Sequence, residues 1–239
     1  MSEPSARARR LLTSVLVLLA AVFLALGTWQ VQRLFWKRDL IARVESRVHA
    51  EPVAAPARAG WPAISTERDE YRRVTAIGLF QHDKTVLVQA VTERGAGFWV
   101  LTPLRLADDT TVLVNRGFVP ADRRAPADRA GSELAAGPVA VTGLLRLSEP
   151  GGGFLRANDP TGERWFSRDV AAIAAAKGLS DVAPYFIDAD ATPNPGGLPV
   201  GGLTVIAFRN SHLVYALTWY VLAAMSTAGL WHVHRRRRV

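Results

Sequence analysis

The sequence of 239 residues contains no cysteine. This absence excludes disulfide bonds, thiolate zinc and iron–sulfur sites, and the covalent attachment of a c-type haem. The sequence also lacks a Gly-x-Ser-x-Gly elbow, a phosphate-binding loop, a dinucleotide-binding glycine motif and a His-Glu-x-x-His motif. Disorder of the whole chain is excluded as well, because 49% of the residues are hydrophobic and only 21% are charged.

Charge is absent from two segments of 19 residues each, 11–29 and 213–231. A helix rises about 1.5 Å per residue, so each segment would extend about 28 Å, close to the hydrocarbon core of a bilayer, about 30 Å thick. Both segments are therefore predicted to be transmembrane helices in contact with the lipid bilayer. The alternatives are a cleaved signal peptide for the first and a buried core helix for the second.

The net charge of +8 is concentrated at the two ends of the chain. Seven arginines against one acid in residues 1–10 and 232–239 account for six of the eight net charges. A nucleic-acid module carries its positive charge on the folded surface that binds, so no nucleic-acid partner is expected. Arginine-rich flanks mark the cytoplasmic side of a membrane. We therefore expect a two-span protein of the bacterial plasma (inner) membrane, with both tails cytoplasmic and residues 30–211 forming a periplasmic domain.

The domain between the spans is predicted to be rich in strands. It begins with Trp36–Val48, whose apolar residues recur at helical spacing, so the first span is predicted to continue as a helix through this segment. A proline-containing linker is predicted next, at Ala50–Ala63. Six later runs have strand-like composition, and several of them alternate apolar with polar residues. These runs are Tyr71–Leu79, Thr85–Val91, Phe98–Leu101, Thr111–Val114, Val139–Leu147 and Pro184–Asp188.

Turns are predicted at Gly95–Gly97 and Ala107–Thr110, and one short helix at Asp169–Lys177, ended by Gly178. The predicted fold is an α+β membrane protein in which two transmembrane helices flank a mainly antiparallel β sheet or barrel with one or two short helices. The core of this domain is predicted to contain seven apolar residues of the strands. They are Val74, Ile77, Val86, Val88, Val100, Leu113 and Val141.

An ionisable residue lies at the outer end of the second span. His212, Tyr215 and Trp219 share one helix face because they are spaced at i, i+3 and i+7. An ionisable residue at a membrane boundary indicates a functional site. The alternative is an interfacial histidine whose ring lies among the lipid headgroups.

The matching end of the first span carries Trp29 and Arg33. If both helices cross the membrane, these residues and His212 lie at the same depth. An imidazole, aromatic rings and an arginine at one depth suit a haem at the outer leaflet, with the imidazole on the iron and the arginine on the propionates. The alternative is an ordinary interfacial belt of aromatic residues with snorkelling basic side chains.

Blocks of sequence that span nearly the whole chain resemble the surfeit locus protein 1 family, in the family's order. They are Gly27–Lys37, Tyr71–Val74, Gly78–Phe80, Gly97–Leu104, Val114–Pro120 and Arg209–Tyr220. Phe118 and Ser211 depart from the residues that are common in the family, and the region 122–188 matches weakly.

The resemblance implies a non-catalytic assembly factor for haem-copper terminal oxidases that binds haem a and assists its insertion into oxidase subunit I. It implies that His212 is the iron ligand. The expected cofactor site thus consists of His212, Tyr215, Trp219, Trp29 and Arg33, and the expected partners are cytochrome oxidase subunit I and, as a further candidate, haem a synthase. Two other functions stay open, a chaperone for oxidase subunits that does not bind haem and a membrane-anchored hydrolase.

Overall fold

Two long helices, α1 (Ala6–Val48) and α4 (His212–Arg235), begin and end the described part of the chain. The computed structural model describes residues 6–133, 137–153, 155–206, 208 and 210–235. The chain divides into two units, one made of the residues up to Arg43 and from Ala207 onward, the other running from Val44 to Ile206. We call the first the helical unit and the second the barrel unit.

Both long helices are apolar and long enough to cross a membrane, which indicates a membrane protein. Helix α1 has 43 residues. At about 1.5 Å per residue it extends about 64 Å, roughly twice the thickness of a hydrocarbon core. The first span therefore continues well beyond residue 29 as one helix, which confirms the sequence prediction for Trp36–Val48.

The two helices pack against each other in an antiparallel arrangement within the helical unit. Phe23 stacks on Trp219, with ring centroids 5.6 Å apart. Towards the other end, a Cβ atom added at Gly229 would lie 3.5 Å from the side chain of Leu16. The least exposed side chains of α4 lie on one face of the helix, and they are alternately four and three residues apart in the sequence, as in paired helices. This face contains His212, Ala216, Trp219, Ala223 and Ser226.

The described residues of the barrel unit form seven strands and two short α-helices. The strands are β1 (Val53–Ala54), β2 (Arg73–Phe80), β3 (Val86–Thr92), β4 (Gly95–Leu106), β5 (Thr111–Pro120), β6 (Val139–Leu147) and β7 (Val182–Ala189). The short helices are α2 (Thr66–Asp69) and α3 (Val170–Ala176). Short 3-10 helices occupy Arg58–Ala63, His82–Lys84, Ala121–Arg123 and Pro126–Glu133.

The strands follow the order β1-β2-β6-β7-β5-β4-β3, and a further pairing of β2 with β4 closes five of them into a ring. The closing contact joins Gly78–Phe80 to Leu104–Leu106. Strand β3 extends the sheet beyond the ring by pairing with the first half of β4. Among the described pairings between these seven strands, only β1–β2 and β5–β7 are parallel. The prediction of a mainly antiparallel sheet or barrel is therefore confirmed.

Among the described residues, the core of the barrel unit contains two apolar clusters on opposite faces of the sheet. Successive side chains of a strand point to opposite faces, so Val112 and Val114 of β5 join one cluster and Leu113 joins the other. The second cluster also contains Ile173 of α3 and the fully buried Trp165. Burying one such aliphatic side chain stabilises the fold by about 1.5–3 kcal/mol.

Helix α3 forms as predicted. The carboxylate of Asp169 accepts a hydrogen bond from the backbone N–H of Ala172 at 3.1 Å, which caps the first turn. Gly178, with φ of +59°, follows the last turn. The predicted turn at Ala107–Thr110 also connects β4 to β5.

Three sequence predictions are wrong in detail. The turn between β3 and β4 is formed by Glu93 and Arg94, and Gly95 with φ of +98° already begins β4. Ile77 is 62% exposed because Val74 and Ala76 occupy the buried face of β2. The proposed linker Ala50–Ala63 contains β1, which pairs with β2.

Candidate functional site

His212 is the first residue of α4 and is half-buried. Its Nδ1 lies 2.7 Å from the side-chain oxygen Oε1 of Gln30 on α1. Gln30 follows Trp29 in the chain, so this contact places His212 level with the end of the uncharged segment of α1. Among the residues that the structure describes, Gln30 is the hydrogen-bond partner of the imidazole, and Nε2 makes no hydrogen bond.

The other two residues of the predicted face of α4 differ in their surroundings. Trp219 stacks on Phe23 at an interplanar angle of 25°, so its ring takes part in the packing of the two helices. Tyr215 is 54% exposed and lies outside the contact face. The next residue, Ala216, is the one that is buried on the contact face. The structure thus directs His212 and Trp219 towards α1 and leaves Tyr215 accessible.

Trp29 and Arg33 both lie on the exposed side of α1. Trp29 is 51% exposed. The guanidinium group of Arg33 lies over the ring of Trp36, 4.5 Å from its centroid, which is a cation–π contact. Within the described residues, neither Trp29 nor Tyr215 forms a ring stack, and Arg33 makes no hydrogen bond with His212. These exposed rings and this cation lie in the same part of the two helices as His212 and make no contact with it that holds them in place.

Two polar groups near His212 are not among the predicted site residues. Gln30 has no predicted role because a glutamine beside a tryptophan carries no local signal, and only the packing of α1 on α4 brings it to the imidazole. Asn210 precedes His212 by two residues, and its side-chain oxygen is buried without a hydrogen-bond partner in the described structure. Arg209, which belongs to the same block of sequence, lies outside the described residues.

A second polar cluster, which we call the Asp188 network, lies in the barrel unit. Asp188 of β7 is 3% exposed and accepts hydrogen bonds from Asn115, Arg146, Arg168 and Thr204 at 2.8 to 3.1 Å. The two arginines are held by further carboxylates. Arg168 donates to Glu149 at 2.5 Å, and Arg146 donates to Glu70 at 3.1 Å.

The charges of the Asp188 network are stabilised by one another. Burial raises the pKa of Glu149, but hydrogen bonds and positive charge from Arg168, with a contribution from Arg146, outweigh it and lower the pKa overall. Burial lowers the pKa of Arg168, and the charges of Asp188 and Glu149 outweigh it, so that this pKa is raised. Glu149 and Arg168 are therefore held in their charged forms, which suits a structural role better than acid–base catalysis.

The SURF1 family model matches residues 17–224, which cover most of the chain. This chain belongs to the SURF1 family. Surfeit locus protein 1 of Homo sapiens is 39% identical over 236 residues, which cover 91% of this chain and 75% of the human protein. The SURF1-like protein of Monosiga brevicollis is 39% identical over 230 residues, which cover 90% and 84% of the two chains. Surfeit locus protein 1 of Takifugu rubripes is 34% identical, with coverage of 90% and 93%.

SURF1 proteins are known as cytochrome oxidase assembly factors, and the family match spans both the helical unit and the barrel unit. The residues of this SURF1 chain that face His212 fit a haem in one respect. The imidazole has one nitrogen engaged by Gln30 and one that no described residue engages, which is the arrangement of a histidine that ligates a metal. Within the described residues, no group of three His, Asp or Glu side chains is placed to hold a metal ion by itself.

Proposed function

We propose that this chain is a membrane-bound assembly factor for a haem-copper cytochrome oxidase, which binds haem a and assists its insertion into oxidase subunit I. Membership of the SURF1 family supports the assembly role. The observation that supports haem binding is the imidazole of His212, held through Nδ1 at the outer end of the helical unit. We also propose that the protein lies in the inner membrane of a bacterium, with both tails in the cytoplasm and the barrel unit in the periplasm. The arginine-rich tails support this orientation.

Each residue of the proposed site has a separate role. Nε2 of His212 would ligate the iron. Trp29 and Tyr215 present exposed rings that would cover apolar parts of the macrocycle, and Arg33 would pair with a propionate. Trp219 would act from within the helix pair, because its stack on Phe23 holds α4 in register with α1.

A bound haem would supply an iron that takes a nitrogen ligand, and two propionates that pair with cations. A site with a single protein ligand, located where two helices meet the membrane surface, holds its cargo less firmly than a site with two ligands. Loose binding suits transfer to a second protein, which here would be subunit I, with haem a synthase as a candidate donor. Permanent electron transfer would favour a buried haem with two axial ligands.

The test is the pigment of the full-length chain purified after co-expression with haem a biosynthesis. We expect a Soret band from the wild-type chain and its loss in His212→Ala, while the level of protein stays unchanged because alanine favours a helix. Arg33→Ala should weaken binding only about fivefold, since a propionate pair at a wet surface contributes about 1 kcal/mol. His232→Ala and His234→Ala are the matched controls, because they lie about 30 Å along the helix from His212.

Other outcomes would point to the other two functions. Recovery of oxidase subunits with a haem-free chain, and normal oxidase activity with His212→Ala, would indicate a chaperone that does not bind haem. A hydrolytic rate that disappears when a residue of a barrel-unit cavity is replaced would indicate a membrane-anchored hydrolase. Unchanged haem content in His212→Ala would show that His212 is not the ligand.

A further inference from the structure

We propose that Gln30 is the positioning residue of the site, which sets the tautomer and the ring orientation of His212 so that Nε2 is the nitrogen available to iron. This inference rests on the proposed haem-binding function and goes beyond it by assigning a role to a second residue. The contact that carries it joins two helices whose residues are 182 positions apart in the chain, with 2.7 Å between Nδ1 and Oε1.

The chemistry of the two groups determines where the proton lies. An amide oxygen accepts hydrogen bonds and does not donate them, so a hydrogen bond of 2.7 Å to Oε1 requires a proton on Nδ1. A neutral imidazole carries one N–H, which leaves Nε2 with its lone pair. Metal-ligating histidines in proteins are oriented in this way by a partner on the other ring nitrogen.

The position of Gln30 follows from the packing of the helical unit. Phe23 lies seven residues before Gln30, and Trp219 lies seven residues after His212, so the stack and the hydrogen bond repeat the same antiparallel register two turns apart. Between them Gly27 is buried, and a Cβ atom there would lie 2.8 Å from the ring of Tyr220. This close approach of the two helices keeps the amide within reach of the imidazole.

A glutamine rather than a glutamate suits a haem that is to be passed on. A charged acceptor on Nδ1 increases the basicity of the imidazole and strengthens its bond to the metal. A neutral amide also orients the ring, but it increases the basicity of the imidazole less. Gln30 thus fixes the orientation of the His212 ring and leaves an iron–histidine bond that is weak enough for a partner protein to replace.

The first test uses the haem-free full-length chain in detergent, labelled with ¹⁵N-histidine. Long-range ¹H–¹⁵N spectra report which ring nitrogen carries the proton. We expect His212 to be protonated on Nδ1 in the wild type and to change towards the Nε2–H form in Gln30→Ala. Gln32→Ala is the matched control, because Gln32 is an exposed glutamine of the same helix and should leave the tautomer unchanged. An Nε2–H form in the wild type, which the opposite orientation of the amide would produce, would overturn the proposal.

The second test uses the haem-loaded chain and measures the iron–histidine stretching frequency in the ferrous state. Gln30→Ala should shift this frequency and lower haem affinity about tenfold, as the loss of an outer partner of a metal ligand does. Gln30→Glu should raise the frequency, and Gln32→Ala should not change it. An iron–histidine band that is the same in the wild type and in Gln30→Ala would overturn the positioning role. A wild-type chain that binds no haem would overturn the proposed function instead. The tautomer spectra would still decide whether Gln30 determines which ring nitrogen of His212 carries the proton.

Discussion

The hydroxyl group of Thr204 donates a hydrogen bond of 3.0 Å to the buried carboxylate of Asp188. Thr204 belongs to the segment that follows β7, and Asp188 belongs to β7. This segment is therefore hydrogen-bonded to β7 through the same carboxylate that binds Arg146 and Arg168. One side chain thus joins three separate parts of the barrel unit.

Replacing Asp188 with asparagine should strongly destabilise the barrel unit. The substitution keeps the size of the side chain but removes the negative charge between Arg146 and Arg168, and breaking a buried ion pair on one side costs about 3–5 kcal/mol. Chemical unfolding of the full chain in detergent measures the loss. Asp109→Asn is the control, since Asp109 pairs with Arg105 at an exposed turn, where an ion pair contributes less than about 1 kcal/mol. Equal effects of the two substitutions would contradict a central role for Asp188.

The stability of the barrel unit should fall in acid partly because of Glu149. Its pKa is below the ordinary value of 4.5 in the folded chain, since the arginine contacts outweigh the effect of burial. A carboxylate with a lowered pKa contributes stability above its unfolded pKa, and the contribution is lost as the pH falls through the folded pKa. The loss should therefore begin near pH 4.5 and continue below it. Glu149→Gln should make the unfolding free energy less dependent on pH in this range, and an unchanged slope would contradict the assignment.

Gly117 should tolerate no side chain. Its φ is +130°, and a Cβ atom would collide with the backbone carbonyl group of Val200. Gly117→Ala should cost more than the conformational penalty of about 1–2 kcal/mol for a left-handed residue, because the backbone of two segments must also separate. Gly151→Ala separates the two effects, since Gly151 has φ of +91° with open space around it. Thermal unfolding should show a clearly larger loss for Gly117→Ala, and similar losses would indicate that the collision is relieved.

The orientation in the membrane can be measured by cysteine labelling, because the chain has no cysteine of its own. A membrane-impermeant maleimide should label Val91→Cys in intact cells with a permeable outer membrane, since Val91 is exposed in the barrel unit. It should label Val239→Cys only after the inner membrane is disrupted, because the arginine-rich tail favours the cytoplasm. The cysteine-free parent is the blank. The opposite pattern would place the barrel unit in the cytoplasm.

Local sequence patterns determined the elements of this protein. The absence of charge over 19 residues indicated each long helix, and the spacing of Leu40, Ile41 and Val44 indicated that α1 continues beyond the first span. Alternation indicated the strands, because a strand with one buried face repeats every two residues. The predicted core was wrong at Ile77, because Ile77 lies three positions after Val74 and a strand places two such residues on opposite faces, of which only that of Val74 is buried.

The closure of the barrel, the Asp188 network and the partner of His212 were decided by the tertiary structure alone. Asn115 and Asp188 are 73 residues apart, and Gln30 and His212 are 182 residues apart. No local pattern reports such contacts, because each depends on how whole strands and helices pack. The sequence therefore determined that an imidazole stands at the start of a long apolar helix. The packing of α1 on α4 determined which nitrogen of that imidazole is held, and by which side chain.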